Sequence, residues 1–151
     1  MPSPRRATDA DSAALADLFW RIREAAVPAI PMIVHPRHTL EPFLRARIAR
    51  DETWVVPGTG DTLAGFLVLS PGHLEHLYLA PEVTGAGLGS RLVAFAQERQ
   101  PHGLSLWAFQ SNIRAIRFYA RHGFRPVEWT DGDNEEGAPD VRMVWPGRAG
   151  A

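Results

Sequence analysis

Apolar positions recur at helical spacing at Leu15, Leu18, Phe19 and Ile22, the buried stripe of a helix that Thr8 or Asp9 can cap. Pro28, Pro31 and Pro36 then forbid helix and hold an extended loop. Thr39 is placed to cap a second helix that turns Leu40, Phe43, Leu44 and Ile48 inward, with Pro42 in its first turn, where a missing N–H costs little. The period then changes. Residues 53–56 and 63–69 read as hairpin strands around Pro57-Gly58-Thr59-Gly60-Asp61, and Pro71-Gly72 turns the chain into a strand over His73–Leu79. Leu88, Leu92 and Phe95 mark a helix ended by Pro101, and Leu104–Phe109 is another strand. Ser111 can cap a helix over residues 112–121, with Gly123 suited to its C′ position. Arg125–Trp129 and residues 141–145 are the last strands, flanking a loop that holds Asp131, Asp133, Glu135, Glu136 and Asp140. The order ααβββαβαββ predicts an α/β fold without internal repeats.

One junction in this pattern carries chemistry. The strand ending Leu77-Tyr78-Leu79 runs through Ala80-Pro81-Glu82-Val83 into Thr84-Gly85-Ala86-Gly87-Leu88-Gly89-Ser90, a glycine-rich turn that opens a helix. Such a turn aims several N–H groups at one point, and the helix dipole adds positive charge, so the junction is an anion cradle suited to a phosphorylated cofactor. It is not a P-loop, because no lysine follows Gly87. Nor is it a dinucleotide fingerprint: Gly85, Gly87 and Gly89 are spaced two by two, and no acidic residue ends a clear next strand. With Leu79-x-Pro81 and Thr84-x-x-Gly87-x-Gly89, it resembles the acyl-CoA-binding turn of the GCN5-related N-acetyltransferase (GNAT) superfamily. Downstream, Asn112-Ile113-Arg114-Ala115-Ile116-Arg117-Phe118-Tyr119-Ala120-Arg121-His122-Gly123-Phe124 resembles the N-x-x-A-x-x-F-Y-x-x-x-G-F signature of the same superfamily, in the expected order. The resemblance covers roughly residues 53–130, and the first fifty residues by layout only.

The chain's 151 residues, 45% of them hydrophobic, suffice for one core and are too few for two ordinary domains. We expect a single domain over residues 1–147 with a tail at 148–151. A formal charge of −1 leaves no basic field for nucleic acid or an anionic membrane. There is no cysteine, which excludes disulfides, thiolate metal sites and a cysteinyl acyl-enzyme. No apolar run approaches a membrane span or signal peptide, so a soluble cytoplasmic protein is expected. His35-x-x-His38 and His73-x-x-His76 lack a helical zinc context, and strand alternation sets His73 and His76 on opposite faces, so no metal is expected.

The resemblance implies a mixed sheet of about six to seven strands flanked by helices, with central strands splayed so that the pantetheine arm of acetyl-CoA fits between them. It implies acyl transfer to a primary amine by direct attack, and it allows a homodimer. The backbone of Leu77, Tyr78 and Leu79 and the turn residues Thr84, Gly85, Ala86, Gly87, Leu88, Gly89 and Ser90, with Asn112, would contact the cofactor. Thr84 departs from the usual Gln or Arg of the motif, and Arg91, Arg114 and Arg117 are candidates to restore the charge. Asn112 also suits a simple capping role.

Thioester aminolysis needs a base for the amine, donors for the oxyanion and an acid for the thiolate. By the resemblance, Tyr119 is the acid; the alternative is a ring that merely packs against the sheet. Glu75 is the first choice of base and His73 the second. Alternation places both with Leu77 and Leu79, and His76 with Leu74 and Tyr78, a parity that a bulge would invert. The acceptor site would lie between residues 25–45 and 129–140, where Trp20, Phe43, Phe109 and Trp129 could wall it and the acidic loop could attract a cationic amine. A non-catalytic acyl-CoA sensor and an NAD-dependent enzyme are the rival classes.

Overall fold

Seven strands form one sheet in the order β1-β2-β3-β4-β5-β7-β6 in the computed structural model, which describes residues 3–27, 36–85, 87–134 and 136–149. The strands are β1 (Arg5–Arg6), β2 (Glu52–Pro57), β3 (Leu63–Ser70), β4 (His73–Leu79), β5 (Leu104–Phe109), β6 (Arg125–Trp129) and β7 (Asp140–Trp145). Neighbours are antiparallel except β4 and β5, which run parallel. The helices are α1 (Ser12–Ala26), α2 (Leu40–Arg50), α3 (Leu88–Arg99) and α4 (Ile113–Arg121). None of them is long and apolar enough to cross a membrane.

The unbroken apolar run of β3 is explained by cover on both faces. Phe66 and Val68 face the stripe Leu15, Leu18, Phe19 and Ile22 of α1, with Leu40 and Leu44 of α2. Leu67 and Leu69 face Leu88, Leu92, Val93 and Ala96 of α3, in a core that continues through Leu104, Leu106, Phe124, Val141 and Met143. Phe66 is wholly buried, which stabilises the fold by roughly 1.5–3 kcal/mol relative to exposure.

Three local expectations are corrected. Thr39 closes a 3-10 turn over Arg37–Thr39 and donates its hydroxyl to the Pro36 carbonyl at 2.6 Å, so it caps no amide of α2. Phe43 turns outward, 44% exposed, beneath the Arg47 guanidinium. The cap of α4 is Asn112 rather than Ser111: the Asn112 Oδ1 accepts from the Ala115 amide. The sequence pattern also missed β1, which is held to β2 by the Ala7 amide on the Thr53 carbonyl and to the 3-10 turn before α1 by the Arg5–Asp11 ion pair.

Candidate active site

The parallel pair at the centre of the sheet separates almost at once. β4 and β5 share one bridge, His73↔Ser105, with the Ser105 amide on the Gly72 carbonyl at 2.9 Å, and beyond it they diverge. The same stretch of β4 contains a bulge. Leu74 pairs with Leu69 and His76 with Val68, leaving Glu75 as the extra residue. The Ala80 amide bonds the Ala64 carbonyl of β3. Backbone groups alternate sides along a strand, so the N–H and C=O of Leu79 and Leu77 point into the gap on the β5 side.

The bulge reverses the expected parity. Leu74 joins Leu77 and Leu79 in the α3 core, whereas His76 and Tyr78 pack with Phe19 and Phe66 on the α1 face. Glu75 lies on that α1–α2 side too. Its Oε1 accepts from the Ser70 hydroxyl at 2.8 Å, and its Oε2 lies 3.6 Å from the Arg47 guanidinium of α2 and 3.9 Å from His73 Nε2. His73 Nδ1 is 2.7 Å from Ser105 Oγ. Thus His73 and Glu75 share with His76 and Tyr78 the face from which alternation alone would have excluded them both. His76 stacks on Tyr78 with its Nε2 sealed from solvent, and desolvation, aided by the Arg47 and Arg23 cations, lowers its pKa to about 3. It is uncharged at neutral pH and poorly placed to take a proton.

At the far end of β4 the backbone enters the cradle. Gly85 and Gly87 adopt φ of +83° and +84°, a region where a side chain is strained. Gly87 is the N-cap of α3 and contributes no capping side chain, so the first-turn amides of Leu88, Gly89 and Ser90 have no side chain closing over them. Gly89 serves packing: a Cβ there would meet the Phe118 ring of α4 at 3.2 Å. The cradle therefore fits a phosphate group by backbone alone. Tyr119 rises from α4 against Phe118 and Phe124, and burial pushes its phenol pKa well up, with Tyr78 near enough to add to the effect. Burial likewise raises Tyr78, opposed by the Arg23 guanidinium that bonds it. A protonated phenol on one side of the gap and a carboxylate with an imidazole on the other suit proton transfer at both ends of a reaction.

The acetyltransferase (GNAT) family model matches residues 13–124, which contain the gap, the cradle and both signature motifs. The chain belongs to the GNAT acetyltransferase family. It is 33% identical over 108 residues to the peptidyl-lysine N-acetyltransferase YiaC of Escherichia coli, spanning 70% of this chain and 71% of that one. It is also 33% identical over 89 residues to the peptidyl-lysine N-acetyltransferase YjaB of the same organism, spanning 59% and 60%. The solution structure of apo YjaB superposes with a TM-score of 0.77 at 26% identity, covering 98% of this chain and 99% of that one. The fold is shared as well with a PaiA N-acetyltransferase of Thermoplasma acidophilum solved with coenzyme A, at a TM-score of 0.75 and 18% identity over 97% and 99% of the chains. This chain is an acyl-CoA-dependent N-acetyltransferase.

Several residues of this GNAT enzyme depart from expectation in their setting. The Thr84 hydroxyl donates to the Pro81 carbonyl at 2.9 Å, closing the turn before the cradle instead of reaching into it. Ser90 Oγ lies 3.1 Å from His122 Nε2. Arg91, Arg114 and Arg117 are exposed and make no ion pair among the described residues. Phe109 stands at the gap, while Trp129 is 59% exposed at the sheet edge. Trp20 donates its indole N–H to Glu24. Ala86, Pro28, Pro31, His35 and Glu135 lie outside the described residues. Sequence reasoning missed Ser70, Ser105, Arg47 and Arg23. A polar residue at a strand end beside an ionisable one was a usable signal for the serines.

Proposed function

We propose that this acetyltransferase moves the acetyl group of acetyl-CoA directly onto the side-chain amine of lysine in a protein or peptide. The observation that carries the reading is the free β4 edge at Leu77 and Leu79, with the Gly87 cradle at one end and Glu75 at the other. The peptidyl-lysine activity named for YiaC and YjaB supports the acceptor class. Acetyl-CoA supplies the activated thioester. The chain's own residues hold it and move protons. The amides of Leu88, Gly89 and Ser90 receive the pyrophosphate, and the N–H and C=O of Leu77 and Leu79 pair with the pantetheine amides as a neighbouring strand would.

Glu75 takes the proton of the ammonium, directly or through water, with its carboxylate oriented by Ser70 and Arg47. The neutral amine nitrogen bonds the acetyl carbon, the carbon–sulfur bond breaks as Tyr119 gives its phenol proton to the departing thiolate, and the second proton of the nitrogen leaves through water, so that the amide forms and the phenol is restored. The raised pKa of Tyr119 keeps that proton in place across the working range. With no cysteine in the chain, direct transfer needs no thiol relay.

The test is thiol release from acetyl-CoA in the presence of an N-terminally blocked lysine peptide, with mass spectrometry of the product. Acetyl-CoA at a hundredfold excess over its Kd should also stabilise the fold by about 2.7 kcal/mol. Binding without turnover on lysine peptides, alongside turnover on free α-amines, would overturn the acceptor assignment.

A further inference from the structure

Arg23 takes no part in these proton movements, yet it is the most deeply placed cation of the acceptor face. It sits in the last turn of α1 and is 6% exposed. Its guanidinium lies over the rings of Phe19 and Phe109, at 5.8 and 5.9 Å, and interacts with the Tyr78 hydroxyl. Tyr78 belongs to the free part of β4 and Phe109 ends β5, so the cation spans the open gap from the α1 side. Across from it is Glu136 of the loop between β6 and β7, whose Oε1 is 3.9 Å away with the side chain 19% exposed. At that separation the charges attract without a hydrogen bond.

The other acids of the loop are disposed differently. Asp131 and Asp133 are exposed, and Asp140 accepts hydrogen bonds from Thr130 and from Asn134 within the loop itself. Among the described residues, Glu136 is the loop carboxylate turned toward the gap. Arg23 is held by two rings and a tyrosine hydroxyl, whereas Glu136 is held to it by a long contact only.

We infer that Glu136 is the specificity-determining residue that receives a cationic acceptor. A lysine ammonium entering between α1 and the loop exchanges for the guanidinium as the partner of Glu136, at charge-assisted hydrogen-bond distance rather than 3.9 Å. Arg23 keeps its contacts with Phe19, Phe109 and Tyr78 through the exchange. The inference rests on the lysine acceptor proposed above and adds that the acceptor is selected by its charge.

The experiment compares wild type with Glu136→Gln, using a blocked lysine peptide and an aromatic amine that is neutral at the assay pH. For Glu136→Gln the KM of the peptide should rise about tenfold, the worth of roughly one charge-assisted contact, with kcat within about twofold and the arylamine KM unchanged. Raising salt should raise the peptide KM of wild type and not of the variant. Glu136→Asp should restore part of the affinity, and Asp131→Asn should leave the peptide KM alone. An unaltered peptide KM in Glu136→Gln overturns the inference. So does an equal rise for both amines, which marks collapse of the mouth, or equal salt dependence in wild type and variant. Should wild type itself fail on lysine peptides while acetylating the arylamine, the lysine assignment falls and takes the inference with it. Failure in the variant alone leaves that assignment standing.

Discussion

His73 Nδ1 lies 2.7 Å from Ser105 Oγ at the one bridge where β4 and β5 still pair. The imidazole is thus both a neighbour of Glu75 and a bolt at the closed end of the gap. Substituting His73 removes both roles together, whereas Ser105→Ala removes the bolt and leaves the ring.

Base assignment follows from three variants. Glu75→Gln should lower kcat by about a hundredfold or more and abolish the rise of kcat/KM with pH on the acidic side. Ser105→Ala and His73→Asn should fall together by less than about tenfold if His73 is only a bolt. A loss confined to His73→Asn, with its acidic limb gone, would transfer the role of base to His73. Profiles measured on one acceptor, corrected for its own amine titration, decide between them.

Tyr119→Phe should reduce kcat ten- to a thousandfold while leaving the KM of acetyl-CoA nearly unchanged, since the ring contacts with Phe118 and Phe124 persist. The folded-state phenol titrates above the ordinary 10.0, so ionisation of Tyr119 sets no alkaline limb below that pH. The same raised pKa makes the fold lose stability as pH climbs past 10.0, where the unfolded chain ionises first. Alkaline melting of the Phe variant should show a smaller loss; equal losses would deny the phenol its buried setting.

The two central glycines of the cradle should fail in different ways. Gly87→Ala places a side chain at φ +84°, costing about 1–2 kcal/mol and weakening the acetyl-CoA-induced thermal shift. Gly89→Ala leaves the backbone unstrained but drives a methyl against Phe118, costing roughly 1–3 kcal/mol and displacing α4. Its signature is a raised KM for acetyl-CoA together with a lower kcat, because Tyr119 follows Phe118 on the same helix.

Acid stability should depend on His76. Its folded-state pKa, near 3, lies below the ordinary 6.5, so the unfolded chain binds the proton first. Stability is therefore full above pH 6.5 and falls toward pH 3. Asp11, lowered from 3.8 by its hydrogen bonds with Arg5, contributes a separate loss that begins lower. His76→Phe keeps the aromatic packing with Phe19, Phe66 and Tyr78 and should flatten melting temperature between pH 6.5 and 4. Persistence of the wild-type slope would place the titration elsewhere.

β4 was legible to the residue because Pro71-Gly72 and Ala80-Pro81 punctuate both ends, and the cradle because glycines stand where φ turns positive. The bulge was not. Leu74-Glu75-His76 looks like ordinary alternation, and an extra residue shows only against the partner strand, where Leu69 and Val68 claim Leu74 and His76. Arg23 was missed for a related reason. An arginine in the last turn of a helix reads as a solvated complement to the dipole, and its burial depends on Phe109 and Glu136, which only the folded chain brings near. Two exposed arginines have no hydrophobic rhythm, so β1 left no trace either.

The unpaired edge of β4 also bears on the protein's behaviour in solution. An edge opened inside a sheet is the kind of template that recruits foreign strands, and natural sheets usually blunt such edges with charge, proline or cover. The gap-side N–H and C=O groups of Leu77 and Leu79 meet no neighbouring strand, and in the proposed mode of binding they are kept for the cofactor. The ligand-free enzyme should thus be the more aggregation-prone form, and its colloidal lifetime should lengthen as acetyl-CoA becomes plentiful, tying the persistence of the protein to the supply of its own donor.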